Sequence, residues 1–389
     1  MPEFKSFTGI NNVQPPHRLK DNELAEALNV DAGLSGELHR RVGYTRASEL
    51  EHTNLYMGDG FLLATAGGDL VKSAGGVQTV LREDVGGARM WYLDLPDGRT
   101  AFSNGTVSGI TDGTTTTEWG VPIPATIGAL TGVSGDLFPG DYQYAITYVR
   151  LTDGLEGGPA YSNPLPVPAG GVLLTGLPVL AGYAINVYLS GHNGGSMYLA
   201  GTTLTSSYSY LGKNDALVLP IRTDFLRPMP KGTVSAFWRG RVLVADGNVL
   251  WASKPHQPEL CDMRRDYKQF SGQITMIQPV EQGVFVGTDK SLVFLAGQEF
   301  DKLVLVPKID AAVVLGSGVT VPGHLIKLRD SVGPEGDAMI CIVDGYLVAG
   351  FTDGSVNAIT KTKYTTDATE VCATWRLVND VPQYLAIPK

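Results

Sequence analysis

Seven Asp-Gly pairs, beginning at Asp59, Asp97, Asp112, Asp153, Asp246, Asp344 and Asp353, punctuate this chain, most of them between short apolar runs. Asp-Gly can supply both positive-φ residues of a two-residue type I′ turn, whose twist matches that of the flanking strands, so its recurrence reads as a succession of β-hairpins. Asn104-Gly105 and Asn193-Gly194 add two more such signals. In the clearest stretch, Arg241 to Ala245 and Val249 to Ser253 form two apolar, β-branched runs joined through Asp246-Gly247. These hairpins speak to architecture; no reactive group sits in the clearest of them.

The 389 residues allow two or three domains with real cores. The 48 glycines and 23 prolines are too many for a helical protein and too evenly spread for a collagen or a linker, so the fold class expected is all-β. No apolar run approaches the roughly 20 residues that span a bilayer, and no cationic segment followed by an apolar one opens the chain. The expectation is a protein made soluble that stays where it is made unless carried elsewhere. Cys261, Cys341 and Cys372 are odd in number and widely spaced, which indicates buried thiols in a reducing compartment, not a disulfide framework or a zinc site. The formal net charge of -9 argues against a nucleic-acid binder, whose affinity comes from clustered Lys and Arg. It leaves open a protein through which nucleic acid passes, because an acidic lumen repels phosphates. Mild acidity also simply aids solubility.

Residues 1–45 differ in texture from the rest. Pro15-Pro16 interrupts any ladder, and Asp21 is placed to cap a short helix over Asn22 to Asn29 with Leu24, Ala25 and Leu28 on one face. Residues 46–126 and 213–389 share a pattern of short strands and tight turns. Five segments there look alike: Phe61 to Ser73, Thr100 to Ile110, Val242 to Trp251, Val284 to Leu295 and Ile340 to Ala349, each an apolar run, a turn and a second apolar run. Such a repeat suits a β-propeller, whose sheets bury their faces against their neighbours around an axis; a sandwich or an irregular barrel is the other reading. Residues 127–212 hold nine of the sixteen tyrosines and no lysine. Tyr142, Tyr144, Ile146 and Tyr148 alternate with other residues as in a half-buried strand, and four further strands complete a small sandwich inserted into the propeller. Three domains in tandem is the alternative. The tyrosines are read either as the core of that sandwich or as a charge-poor contact surface for proteins or sugars.

Motifs that carry chemistry are sparse. Gly212-Lys213 lacks the rest of a phosphate loop, and Gly316-x-Gly318 lacks the third glycine of a dinucleotide fingerprint. The six histidines never fall at metal-ligand spacing, so no cofactor or metal is implied. Thr111 to Trp119 carries its Gly and Trp at the wrong spacing from Asp112 for a sialidase Asp-box. No nucleophile–base grouping stands out, and the chain is expected not to be an enzyme. Paired carboxylates in a cleft stay compatible with the spacing, which keeps a glycan-binding or glycan-hydrolysing propeller as the alternative.

Three groups of motifs, taken in order, carry a resemblance. Phe7-Thr-Gly-Ile-Asn-Asn12, Pro16-His-Arg-Leu19, Ala27-Leu-Asn-Val-Asp31 and Gly36-Glu-Leu-His-Arg-Arg-Val-Gly43 open the chain. Phe237 to Ala245, Ser253 to Pro258 and Gly283 to Thr288 follow later. Together they resemble the tail nozzle (tail hub, or stabilisation) proteins of short-tailed bacteriophages. The stretch Gly140 to Tyr148 and Ile185 to Tyr188 is similar to fibronectin type III modules. The resemblance implies a structural virion protein, made in the host cytoplasm, whose copies, typically six, form a ring beneath portal and adaptor and prolong the DNA channel. Tail fibres are further partners it suggests. On the same footing, Phe4, Phe7, Ile10, Arg18, Arg40 and Arg41 are expected to dock against the ring above or an adjacent subunit; a strap closing the propeller is the equal reading.

Overall fold

A computed structural model describes residues 6–33, 36–46, 48–58, 60–74, 77–326, 332–378 and 381–389. Strands dominate, and the helical turns among these residues are short 3-10 segments such as Pro16–Arg18. Five antiparallel four-stranded meanders are arranged along the chain. The first sheet comprises Thr53–Met57, Leu62–Ala66, Asp69–Ala74 and Val77–Arg82, and the second Trp91–Asp94, Thr100–Ser103, Ser108–Thr111 and Thr116–Glu118. The third is built from Ser235–Trp238, Arg241–Asp246, Val249–Ala252 and Tyr267–Gln269. Ile274–Val280, Gly283–Thr288, Leu292–Ala296 and Val304–Ile309 make the fourth; Val319–Pro322, Asp337–Val343, Tyr346–Gly350 and Val356–Ala358 make the fifth. A two-stranded hairpin, Val371–Val378 with Val381–Pro388, follows.

The period-two geometry of a strand sends alternate side chains to opposite faces, and the cores show which sheets those faces meet. In the strand Arg241–Asp246, Val242 and Val244 pack with Ala101, Ile110 and Trp119 of the second sheet and its flank. Leu243 and Ala245 pack instead with Val284 and Val286 of the fourth. Leu63, Leu70 and Phe102 join the first sheet to the second. Phe285, Phe294, Met339 and Val348 join the fourth to the fifth, and Trp375 of the hairpin covers Ala338 and Ala349 of the fifth. The sheets therefore stack in chain order, a propeller-like all-β arrangement. Each Val, Leu, Ile, Phe or Met side chain fully buried in these layers contributes about 1.5–3 kcal/mol through apolar burial. Between the hairpin and the start of the second sheet, Arg89 Nη1 meets Glu370 Oε1 at 3.0 Å and the Val371 carbonyl at 2.9 Å.

The five look-alike segments fall on the two middle strands of these five stacked sheets, one segment to each sheet. Those strands hold most of the buried residues of their sheets and so carry the most continuous apolar runs.

Between the second and third sheets in sequence, residues 129–210 form two facing sheets. Ala129–Ser134, Gly170–Thr175 and Ser207–Tyr210 make one; Ala160–Tyr161, Tyr144–Arg150, Tyr183–Ser190 and Met197–Thr203 make the other. Val172 and Leu174 from the first meet Tyr144, Ile146, Tyr148, Ile185, Val187 and Leu189 from the second in one core. Tyrosine tips are satisfied at its rim: Tyr144 Oη donates to the Gly128 carbonyl at 3.0 Å and Tyr148 Oη to the Pro178 carbonyl at 2.6 Å.

Four expectations need correction. No helix forms over Asn22 to Asn29. Leu24 instead bridges Ile10 in parallel, its N–H on the Gly9 carbonyl and its carbonyl on the Asn11 N–H, while Glu23 Oε2 accepts from Asn11 Nδ2 at 3.1 Å. An eight-residue helix is too short to offset its nucleation cost when such partners compete. Second, Tyr144–Arg150 is not half-buried: Ala145 and Thr147 are as hidden as Tyr144 and Ile146. Third, Cys261 and Cys341 are buried, with burial pushing the Cys261 thiol up to about 12, but Cys372 is exposed on the outer face of the hairpin. Fourth, the turn chemistry differs. Asp344-Gly345 has both φ values positive, at 49° and 79°, across a two-residue hairpin, whereas Asp246-Gly247 does not, because Asp246 pairs with Val249 and the turn is Gly247-Asn248. Arg239-Gly240, unmarked in sequence, adopts the paired positive φ values, 47° and 77°. Asp59 lies outside the described residues.

Candidate assembly site

Among its described residues the amino-terminal segment forms no core cluster of its own and is held by backbone pairing. Phe7 N–H donates to the Gly36 carbonyl at 2.8 Å, Thr8 N–H to Asn22 at 2.8 Å and Asn11 N–H to Leu24 at 2.8 Å. Asn11 is buried and its Oδ1 accepts the Gln14 N–H at 3.2 Å, fixing the entry into the diproline turn. This knot is tied to the far end of the chain. Asn12 N–H donates to the Lys363 carbonyl at 3.0 Å, Asn12 Nδ2 to the Thr365 carbonyl at 2.7 Å, and Thr365 N–H returns to Asn12 Oδ1 at 2.9 Å. Lys363 Nζ lies 3.8 Å from Glu23 Oε1.

Of the six expected docking residues, Phe7 and Ile10 are half-buried in this knot, so they serve the strap and are only partly available to a partner. Arg18, Arg40 and Arg41 are exposed. Phe4 lies outside the described residues. Arg40 pairs with Val30 in the small ladder of Val30–Ala32 with Leu38–Arg40, and Arg41 N–H donates to the Asn29 carbonyl at 3.1 Å. With Val42, Gly43 and Tyr44 they line an open cleft of about 440 Å³. Leu28, Val30, Val42, Tyr44 and Leu50 are exposed along the same segment, Val42 at 85% and Tyr44 at 90%. Of the five that are described, the structure thus makes two half-buried anchors and three exposed cations. Sequence reasoning missed Asn12, Glu23, Lys363 and Thr365; nothing local could have paired positions so far apart.

A second surface bears on the alternative reading. Phe237, Trp238, Arg239, Glu281 and Asp337 line an open cleft of about 410 Å³ where the turns of the third, fourth and fifth sheets meet. Arg239 Nη2 donates to the Glu281 carbonyl at 2.8 Å and ties two of those turns together. Among the described residues no group of three or more His, Cys, Asp or Glu is placed to hold a metal ion, and no helix is long and apolar enough to cross a membrane.

No protein family and no curated protein matches the chain. Solved structures similar to it include BamB from Moraxella catarrhalis, at 12% identity with a TM-score of 0.35, covering 92% of this chain and 91% of that one. Another is BBS1N in complex with ARL6DN, at 12% identity with a TM-score of 0.34, covering 87% and 88%. The stacking of the sheets themselves defines the propeller-like arrangement.

Proposed function

We propose that the chain is a structural subunit of a ring that prolongs a DNA channel, the tail nozzle of a short-tailed phage, with residues 127–212 as a fibronectin III-like module inserted into its propeller. The observation that carries this reading is the amino-terminal segment. It is strapped to the propeller at Asn12 and then presents Leu28, Val30, Val42, Tyr44 and Leu50 to solvent beside Arg40 and Arg41. A run of exposed apolar residues of this kind calls for a covering partner. The order of the motifs from Phe7 to Gly43 and from Phe237 to Thr288 supports the same assignment. A closed ring of identical subunits needs two different lateral faces on each copy, and a propeller supplies them.

The test is negative-stain imaging of the purified chain and of tail-less particles, with and without residues 1–12. The expected result is a ring that attaches to the particle only when the segment is present. A monomer that never assembles, or attachment indifferent to the deletion, refutes the reading. The assembled bore is expected to carry more Asp and Glu than Lys and Arg.

The cleft lined by Phe237, Glu281 and Asp337 supports a second reading, a glycan site with one aromatic face and two carboxylates at its rim. Binding or cleavage of envelope glycans lost in Glu281→Gln and Asp337→Asn would favour it over the ring.

A further inference from the structure

The sandwich meets the stacked sheets at a charged joint whose central pair, Arg150 and Glu259, is closed to water. Arg150, at the end of Tyr144–Arg150, is 3% exposed, and so is Glu259, in the loop before Leu260–Asp262. Arg150 Nη2 reaches Glu259 Oε2 at 2.8 Å and Oε1 at 3.0 Å; the same nitrogen reaches Asp153 Oδ2 at 2.6 Å, and Arg150 Nη1 the Glu118 carbonyl at 3.3 Å. Glu259 also accepts from Arg99 Nη1 at 3.0 Å and from the Gly120 N–H at 3.2 Å, and Arg99 pairs with Asp97 at 2.8 Å. The group draws one pair from the sandwich, one from the second sheet and one carboxylate from the third sheet's outer loop. Every charge has an opposite partner in hydrogen-bond range, the condition under which burying charges is tolerated.

Both connections are pinned as well. On the way out, Trp119 Nε1 donates to the Pro258 carbonyl at 3.0 Å and Val121 is fully buried within the sandwich core. On the way back, residues 219–221 lie along the edge strand Met197–Thr203, with Leu199 N–H on the Leu219 carbonyl at 2.8 Å and Ile221 N–H on the Met197 carbonyl at 3.0 Å. Tyr161 Oη then donates to Asp224 at 2.5 Å. Gly158 sits so close to the Leu226 carbonyl that a Cβ could not be placed between them.

Units joined within one chain move relative to each other by default unless the interface forbids it. We infer that this one forbids it: the sandwich is an outrigger held at one fixed angle by the Arg150–Glu259 pair, so that a displacement imposed on it passes to the second and third sheets. This stands independently of the ring.

The experiment is a distance distribution between spin labels at Ser196→Cys in the sandwich and Asp246→Cys in the third sheet, both exposed, in a Cys372→Ser background that removes the exposed thiol. The full chain is expected to give one narrow distribution, and Arg150→Met one broadened about twofold or more, since it leaves Glu259 buried without its main partner. A broad or bimodal distribution in the parent overturns the inference. So does an Arg150→Met protein that folds and keeps the narrow distribution. Should Arg150→Met not fold, Arg150→Lys retains the charge and loses the forked geometry: broadening supports the assignment, and an unchanged distribution overturns it.

Discussion

Asn12 and Thr365 lie 353 residues apart and exchange two hydrogen bonds, Asn12 Nδ2 to the Thr365 carbonyl at 2.7 Å and Thr365 N–H to Asn12 Oδ1 at 2.9 Å. One amide side chain thereby does for the chain's two ends what a further strand pairing would do. Carbonyl and N–H are satisfied together by one side chain that carries both a donor and an acceptor. Asn12→Ala is expected to lower stability by about 1–2 kcal/mol, the range for two net hydrogen bonds at an accessible site. The larger effect is local: amides of Thr8, Asn11 and Leu24 should exchange with deuterium much faster, while those of Phe285 and Val286 keep their protection. Uniform loss of protection across the chain would mean that the strap is part of one cooperative unit and not an appended segment.

Gly158 reports on the joint from the backbone side. Any side chain there meets the Leu226 carbonyl, so Gly158→Ala must push the loop between Arg150 and Ala160 off Leu226–Pro228. The expected cost is about 1–3 kcal/mol, typical of overpacking in a filled interior. Gly195 belongs to the same unit, has open space around it and no positive φ, so Gly195→Ala serves as the control and should be near neutral. Denaturant midpoints of the two variants decide; equal values would show that the loop yields without resistance.

What could be read from the sequence follows burial. Central strands such as Val284 to Leu295 are covered on both faces, and their apolar runs announce themselves. Outer and terminal strands do not. Val304–Ile309 exposes Val304 and Leu305, and Val381–Pro388 contains two prolines, so neither has the pattern of a strand packed on a core. The helix expected over Asn22 to Asn29 shows the opposite error, an amphipathic octet whose backbone found better partners at Gly9 and Asn11. Charged pairs such as Arg150–Glu259 are invisible to any local pattern because their partners come from different sheets.

Those two prolines have a geometric role. Lys389 N–H donates to the Glu370 carbonyl at 3.2 Å, which, with the register Val371↔Pro388 to Val378↔Val381, places Pro382 and Pro388 at positions whose backbone nitrogens face the open edge. They cost the hairpin no hydrogen bond and deprive an incoming strand of two donors, a known defence of exposed edges. The double variant Pro382→Thr, Pro388→Thr is expected to keep its fold and to gain concentration-dependent self-association, read by light scattering. Scattering identical to the parent would show that the edge is guarded by something else.

Acid should weaken the ion pair that holds the carboxy-terminal hairpin to the start of the second sheet. Burial, the largest single influence on Glu370, pushes its carboxyl up, but hydrogen bonds from Arg89 and Lys389 together outweigh it and leave the group below its usual 4.5. Asp153 behaves alike beside Arg150, below its usual 3.8. A carboxylate with a lowered folded value adds stability that is complete above its unfolded value and disappears as pH falls through the folded one. Stability is therefore expected to be level from neutral pH down to about 5 and to fall below about 4. Arg89→Met removes the first of the two partners and leaves burial in place, so Glu370 should titrate higher; the variant should be less stable than the parent at neutral pH and lose less further stability on acidification, because the gap between the folded and unfolded values has narrowed or reversed. Urea midpoints measured between neutral pH and the acid limb give the comparison, and superimposable curves for parent and variant would remove the Arg89–Glu370 pair from any role in acid resistance.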